Sequence, residues 1–264
     1  VFEFSYHTVG GLKLRVMRRG SNPDKPPLIV CNGIGQSCET IQPFLDELQD
    51  RTLVSFDAAG VGHSDTPRAF LTMEQHANLF AELLDDLGID VSDIMGISWG
   101  GALAQQFVRS YPHRCRRLIL AITSTGGPVT LSGSPLAASE ILFPLRRTHK
   151  FWNWMIGPIV YGGEALFAPE ELAQYSLRNV TSDLRGYYGQ IAAMFGWTSL
   201  HWLHKIKTPT LVYSGLYDPL IPHWNQQLVA ARLPNAELRT LNSGHWLIYA
   251  KRKEIGQEIT DFLT

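Results

Sequence analysis

Apolar positions along this chain fall into short runs that alternate between two periods. Leu28 to Cys31, Thr52 to Phe56 and Ile94 to Ile97 read as strands, and each is followed by a helical stretch: Ile41 to Leu48, Met73 to Leu87 and Ala102 to Tyr111. Met73, Ala77, Phe80, Leu84 and Leu87 share one helical stripe, as do Ile255, Ile259, Phe262 and Leu263 at the C-terminus. A one-sided stripe needs an apolar partner, so both helices are predicted to lie on a sheet. Repeated strand–helix alternation points to the α/β class.

Two earlier strands, Phe2 to His7 and Leu12 to Met17, are joined by Gly10-Gly11, which predicts an antiparallel hairpin leading into the parallel sheet. After Leu118 to Ile122 the rhythm breaks. Ser124 to about Lys207 holds Gly126-Gly127, four prolines before Tyr161, and a helical reading near Pro169 to Asn179. Alternation resumes with Thr210 to Tyr213, Trp224 to Leu233 and Glu237 to Leu241. A structureless loop of that length is implausible in a compact domain, so residues 124–207 are expected to form a lid. The core is then 1–123 and 208–264, a single unit at a length of 264 residues. No 20- to 50-residue period points to a repeat architecture.

Composition narrows the partners. Lys and Arg number 23 against 24 Asp and Glu, for a net charge of −1, and no basic block stands out, which argues against nucleic acid. Cys31, Cys38 and Cys115 are an odd number at spacings that match no zinc pattern, so they are expected as free thiols in a reducing compartment, the cytoplasm. No apolar run approaches a transmembrane span, and Val1 to His7 does not read as a signal sequence.

The strongest chemical signal is Gly96-Ile97-Ser98-Trp99-Gly100-Gly101, between a predicted strand and a predicted helix. It is G-x-S-x-G in the context the motif requires. Glycines around a nucleophile on so tight a turn let strand and helix approach, and the helix aims its dipole and free N–H groups at the same point. The bland alternative is a glycine-rich turn with an incidental serine. A serine hydroxyl needs a base, and the base an orienting acid. His245, in the loop after the Glu237 to Leu241 run, is the best placed histidine, with His223 as competitor, expected to cap a helix or face solvent. His63, His76, His113, His149, His201 and His204 read as structural or surface residues. Asp218, just past Thr210 to Tyr213, supplies the acid in the order Ser98, Asp218, His245; Thr123, Ser124 and Thr125 offer no carboxylate at the alternative position. Asp57 and Asp65 flank a glycine turn and read as a loop shaping the rim.

Acyl transfer also needs donors for an oxyanion. Trp99 N–H is one expected donor and Ile34 N–H, in Asn32-Gly33-Ile34-Gly35, the other. Trp152, Trp154, Trp197 and Trp202 crowd the insertion along with Phe and Tyr residues, and with Trp246 they are candidates to contact an apolar substrate, although such rings could equally pack helices onto the core.

These residues resemble the α/β-hydrolase superfamily across the whole chain. The runs Asn32 to Gly35, Gly96 to Phe107, Gly196 to Lys205 and Asp218 to Pro222 are similar, more narrowly, to intracellular medium-chain-length poly(3-hydroxyalkanoate) depolymerases. The resemblance implies an α/β-hydrolase fold, a mostly parallel eight-stranded sheet flanked by helices with a helical lid after strand 6. It implies serine ester hydrolysis of the polymer through an acyl-enzyme, with Ser98, Asp218 and His245 as the triad and neither cofactor nor metal. The expected partners are a hydrophobic ester and the surface of a polyhydroxyalkanoate granule, with the chain a monomer or homodimer. The rivals are a small-molecule carboxylesterase, lipase or lactonase with the same triad, and a hydrolase-fold ligand sensor or scaffold.

Overall fold

The computed structural model describes residues 1–20, 22–143, 150–177 and 183–264. His149 and Asn179 lie outside the described residues. The chain opens with β1 (Glu3–Val9) and β2 (Leu12–Arg19), an antiparallel hairpin turning at Gly10 and Gly11, both at positive φ. Strand–helix alternation follows: β3 (Leu28–Cys31), α1 (Gln42–Leu45), β4 (Leu53–Phe56), α2 (Met73–Asp86), β5 (Ser92–Ile97), α3 (Trp99–Ser110) and β6 (Cys115–Ala121). Helices α4 (Pro135–Leu142), α5 (Lys150–Tyr161), α6 (Pro169–Leu177) and α7 (Leu184–Met194) lie in the insertion. The chain ends with β7 (Thr210–Gly215), α8 (Trp224–Arg232), β8 (Ala236–Leu241), α9 (Leu247–Ala250) and α10 (Arg252–Phe262).

One eight-stranded sheet runs β1-β2-β4-β3-β5-β6-β7-β8, antiparallel at β1/β2 and β2/β4 and parallel from β4 onward. Strands β3, β4, β5 and β7 are buried along their whole length, and β6 from Leu118 to Ala121, because helices cover both faces, which is why they read as largely apolar runs. On one face Phe56, Phe80 and Phe107 stack between the sheet, α2 and α3. On the other, Phe44, Ile255 and Ile259 seal α1 and α10 against Met95, Ile119 and Tyr213. Parallel order places the C-terminal ends of β3, β5, β6, β7 and β8 along one edge, where a site can be assembled from distant loops.

Element boundaries moved where local chemistry overrode periodicity. The expected helix from Ile41 to Leu48 is a 3-10 turn (Cys38–Ile41) followed by the single turn of α1, with Pro43 removing a backbone donor at its start. Helix α3 begins at Trp99, three residues before the apolar pattern of Ala102 to Tyr111, because Ser98 itself ends the strand. The strand expected from Leu118 to Ile122 stops at Ala121, since Ile122 turns to φ 45°. Among the described residues, no helix is long and apolar enough to cross a membrane.

His76, on α2, is buried with its ring perpendicular to Trp99 at 5.2 Å. Burial lowers its pKa from 6.5 to about 4. Between those values the unfolded chain takes up a proton that the folded chain refuses, so stability is full above pH 6.5 and falls on acidification toward pH 4. The loss through this group amounts to roughly 3 kcal/mol. His76→Leu is expected to flatten this part of the stability curve, measured by urea unfolding at a series of pH values; an unchanged slope would mean His76 is not held neutral.

Candidate active site

Ser98 stands at φ 52° and ψ −115° between β5 and α3, a conformation rare for a residue with a side chain. Its neighbours hold it there. Ser98 N–H donates to Ala121 O at 2.9 Å, and its carbonyl accepts Gly101 N–H at 2.9 Å and Thr123 Oγ1 at 2.8 Å. A Cβ on Gly96 would strike the Gly100 carbonyl and Ala104, one on Gly100 the carbonyls of Cys31 and Asn32, and one on Gly101 the Thr123 side chain. The glycines are therefore set by close approach of strand, helix and the β3 loop. Ile122, at φ 45°, is a second strained residue one strand away, its N–H donating to Tyr213 O at 3.0 Å. Strain is thus concentrated at the strand ends that face the site.

His245 and Asp218 arrive from the loops after β8 and β7. His245 Nε2 lies 3.2 Å from Ser98 Oγ, and Nδ1 lies 2.7 Å from Asp218 Oδ2. Asp218 Oδ1 accepts Leu220 and Ile221 N–H, both at 2.9 Å, so the buried carboxylate is fixed by its own loop. With Oδ2 accepting from Nδ1, the imidazole presents its bare Nε2 to the serine. The base loop leans on the insertion. His245 N–H donates to Tyr161 O at 2.6 Å, and Ser243 Oγ donates to Glu164 Oε2 at 2.5 Å. Gly162 and Gly163, at φ 65° and 55°, sit where a Cβ would meet the Tyr217 carbonyl and the Gly244 amide.

Two cavities meet at Ser98, sharing Ile34, Ile141, Leu220 and Ile221 as walls. The smaller, about 70 Å³, is lined by His245, Trp246, Tyr161, Tyr175, Tyr249 and Phe44. The larger, about 580 Å³, is almost wholly apolar and runs past Met194, Phe195 and Trp197. In the loop after β3, Gly35 N–H is taken by Gln190 Oε1 at 2.7 Å and Gln36 N–H by Gly33 O at 3.2 Å. Ile34 N–H is left without a protein acceptor among the described residues. Trp99, as the first residue of α3, has an N–H with no partner inside the helix.

A protein-family model described as alpha/beta hydrolase fold matches residues 26–251. The chain belongs to the α/β-hydrolase family. Within it, a poly(3-hydroxyalkanoate) depolymerase of Ectopseudomonas oleovorans is 40% identical over 251 residues, 95% of this chain and 88% of that protein. A 2-hydroxy-6-oxononadienedioate/2-hydroxy-6-oxononatrienedioate hydrolase of Paraburkholderia phymatum is 28% identical over 96% of this chain and 92% of its own. The enol-lactonase from Burkholderia xenovorans LB400 shares the fold, with a TM-score of 0.85 at 22% identity over 98% of this chain and 99% of that one.

Other candidate residues of this α/β-hydrolase sort by where they sit. Trp197 lines the larger cavity, its Nε1 donating to Gln106 Oε1 at 2.9 Å, and Trp246 lines the smaller. Trp152, Trp154 and Trp202 line neither. Trp152 Nε1 donates to Glu140 Oε2 at 3.1 Å, Trp154 is half exposed and stacks on Phe151, and Trp202 is buried beneath the Arg109 guanidinium. His223 stands at the N-cap position of α8 but makes no side-chain capping bond: its Nδ1 lies 2.6 Å from Ser214 Oγ on β7, a partner that periodicity does not reveal.

Asp57 accepts Cys38 N–H at 2.7 Å and His63 N–H at 2.9 Å, and Asp65 accepts Lys13 N–H at 2.8 Å, so both organise loops. Cys38, Glu39 and Asp57 have a spacing that could suit a cation, but the Arg15 guanidinium already sits 2.6 Å from Glu39 and 3.7 Å from Asp57, and burial pushes the Cys38 thiol far up. All three cysteines are free and buried.

Gly100→Ala tests the close approach directly. The added methyl collides with backbone that cannot rotate away, so a loss of about 1–3 kcal/mol is expected. Urea unfolding would show it; an unchanged midpoint would mean the turn is looser than the contacts require.

Proposed function

We propose that this α/β-hydrolase cleaves carboxylic esters through an acyl-enzyme on Ser98. The observation that carries the reading is the hydrogen-bonded line from Asp218 through His245 to Ser98 Oγ, ending where the two cavities meet. In this reading His245 Nε2 takes the Ser98 proton as Oγ attacks the ester carbonyl, and Asp218 steadies the imidazolium that forms. Trp99 N–H and Ile34 N–H receive the oxyanion. His245 then returns the proton to the leaving alcohol, and water repeats the sequence to free the acid.

In this reading the two halves of the substrate take different directions. The leaving oxygen has to lie within reach of His245 Nε2, which favours the smaller cavity, lined by His245, for the alcohol. The acyl chain then takes the other direction, into the apolar cavity of about 580 Å³. A long apolar acyl group suits that volume.

The 40% identical poly(3-hydroxyalkanoate) depolymerase, covering nearly the whole chain, supports a poly(3-hydroxyalkanoate) as the substrate. Residues 124–207 act in this reading as a lid over the core formed by 1–123 and 208–264. Phe151, Trp154, Phe167 and Phe195 on this insertion are 50–89% exposed, an apolar outer surface of the kind that meets a hydrophobic aggregate. The setting that fits is the cytoplasm, at polymer granules, where buried free thiols stay reduced.

Monomer release from a medium-chain polyhydroxyalkanoate emulsion, run beside a p-nitrophenyl ester series, tests the reading. Ser98→Ala is expected to lower kcat by about a millionfold and Asp218→Asn by roughly 10⁴, with the fold intact by circular dichroism. Near-native hydrolysis by Ser98→Ala would overturn the mechanism. Serine-dependent turnover of soluble esters with the polymer untouched would keep the mechanism and replace the polymer by small esters.

A further inference from the structure

Gln190 belongs to α7, 155 residues from the loop it touches, and is 1% exposed. Its side chain carries no proton to or from Ser98, and it lines neither cavity there. Yet it bonds to both segments that carry the oxyanion donors. Its Oε1 accepts Gly35 N–H at 2.7 Å, one residue after Ile34, and its backbone carbonyl accepts Trp99 Nε1 at 3.0 Å. The surrounding contacts hold α7 hard against the core. A Cβ on Gly35, at φ 65°, would run into the Tyr187 ring, and Gly186 meets Gly60 backbone to backbone.

We infer that Gln190 is the positioning residue of the oxyanion hole, setting the separation of the Ile34 and Trp99 amides from within the insertion. This rests on the ester-hydrolase reading above. Two consequences follow from the bonding. By occupying Gly35 N–H, Gln190 Oε1 removes the adjacent competing donor and leaves Ile34 N–H as the amide that turns to the substrate. By holding the indole of Trp99, the Gln190 carbonyl fixes the first residue of α3, whose amide is the other donor. An oxyanion hole works only if its donors are in place before charge develops. A displacement of about 1 Å in such a site costs on the order of a hundredfold in rate. Gln190 therefore acts on the transition state through two other residues, without touching the substrate.

The test uses the full-length enzyme and a soluble long-chain p-nitrophenyl ester, with an alkyl boronic acid as transition-state analogue. Gln190→Met keeps length and volume but removes the acceptor. It is expected to lower kcat by about tenfold to a hundredfold with KM within about twofold, and to weaken the boronic acid by the same factor as kcat/KM. Gln190→Glu keeps an acceptor for Gly35 N–H but sets a negative charge against the loop that carries Ile34 N–H. Its kcat/KM relative to wild type is expected to climb as pH falls and the new carboxyl protonates, a profile that a packing role would not produce. Trp99→Phe, which removes the indole donor along with part of the ring, should move kcat and boronic-acid affinity in the same sense as Gln190→Met.

Wild-type kcat and boronic-acid affinity in Gln190→Met would overturn the inference, as would a rise in KM with kcat unchanged. If Gln190→Met does not fold, the pH dependence of Gln190→Glu relative to wild type decides, a flat ratio counting against. Failure of the underlying reading looks different: Ser98→Ala would then retain hydrolysis, whatever the Gln190 variants do.

Discussion

The approach of β5, α3 and the β3 loop to within backbone contact at Ser98 is the constraint on which the rest depends. Side chains at 96, 100 and 101 would separate these elements, and glycine at each lets them close. Closing them forces Ser98 into positive φ, and that conformation lifts its hydroxyl out of the strand line and over the edge of the sheet. The cost of such a backbone is of order 1–3 kcal/mol and persists only where neighbours over-determine it. Here the Ala121 carbonyl, Gly101 N–H and Thr123 Oγ1 do so, two of them from the end of the adjacent strand β6. Strain at Ser98 is thus shared with the turn at Ile122, whose amide is tied in turn to Tyr213 on β7. The three strand ends form one rigid unit, and Asp218 leaves that unit only three residues past β7.

From this rigid edge the Asp218 and His245 side chains need little further support. Asp218 is fixed by two amides of its own loop, and it fixes His245 through one hydrogen bond. What the edge does not supply is the placement of the loops around it. The β3 loop is held through Gln190 from α7, and the His245 loop through the Tyr161 carbonyl and Glu164 from the end of α5. The insertion therefore completes the site from two opposite sides.

This division explains what could be read from the chain alone. The α/β order was legible because buried parallel strands and one-sided helices leave different apolar periods, and Gly96 to Gly101 was legible because steric crowding demands glycine at fixed spacing. Ser98, Asp218 and His245 could be named from their places after β5, β7 and β8, since parallel topology brings strand ends together; the structure sets them within hydrogen-bond distance. Gln190, Thr123, Ile122 and Glu164 left no such trace. A glutamine 155 residues from its partner is one buried amide among many, and nothing in the letters around Ile122 marks positive φ. The tryptophans failed as a group for a related reason: composition reports that rings are present, while whether they line a cavity, pack a helix as Trp202 does, or face outward as Trp154 does depends on insertion packing that has no period.

The anchoring of the insertion also limits how a substrate can enter. Raising the whole insertion as a rigid flap would break His245 N–H to Tyr161, Ser243 to Glu164 and Gly35 N–H to Gln190 together, releasing both loops that these bonds hold. It would also pull apart the backbone contacts at Gly60–Gly186 and Gly163–Gly244, dismantling the arrangement around Ser98 on which the proposed reaction relies. Admission and catalysis are compatible only if these two anchor points stay in place while the walls between them yield. Ile141 of α4 is such a wall: it borders both cavities and contributes its carbonyl, not its side chain, to the bond from Tyr187. In the ester-hydrolase reading proposed above, a chain that enters by displacing α4 leaves the Ile34 loop and His245 where they were, so the same insertion can be fixed where it would position donors and compliant where it would cover the substrate.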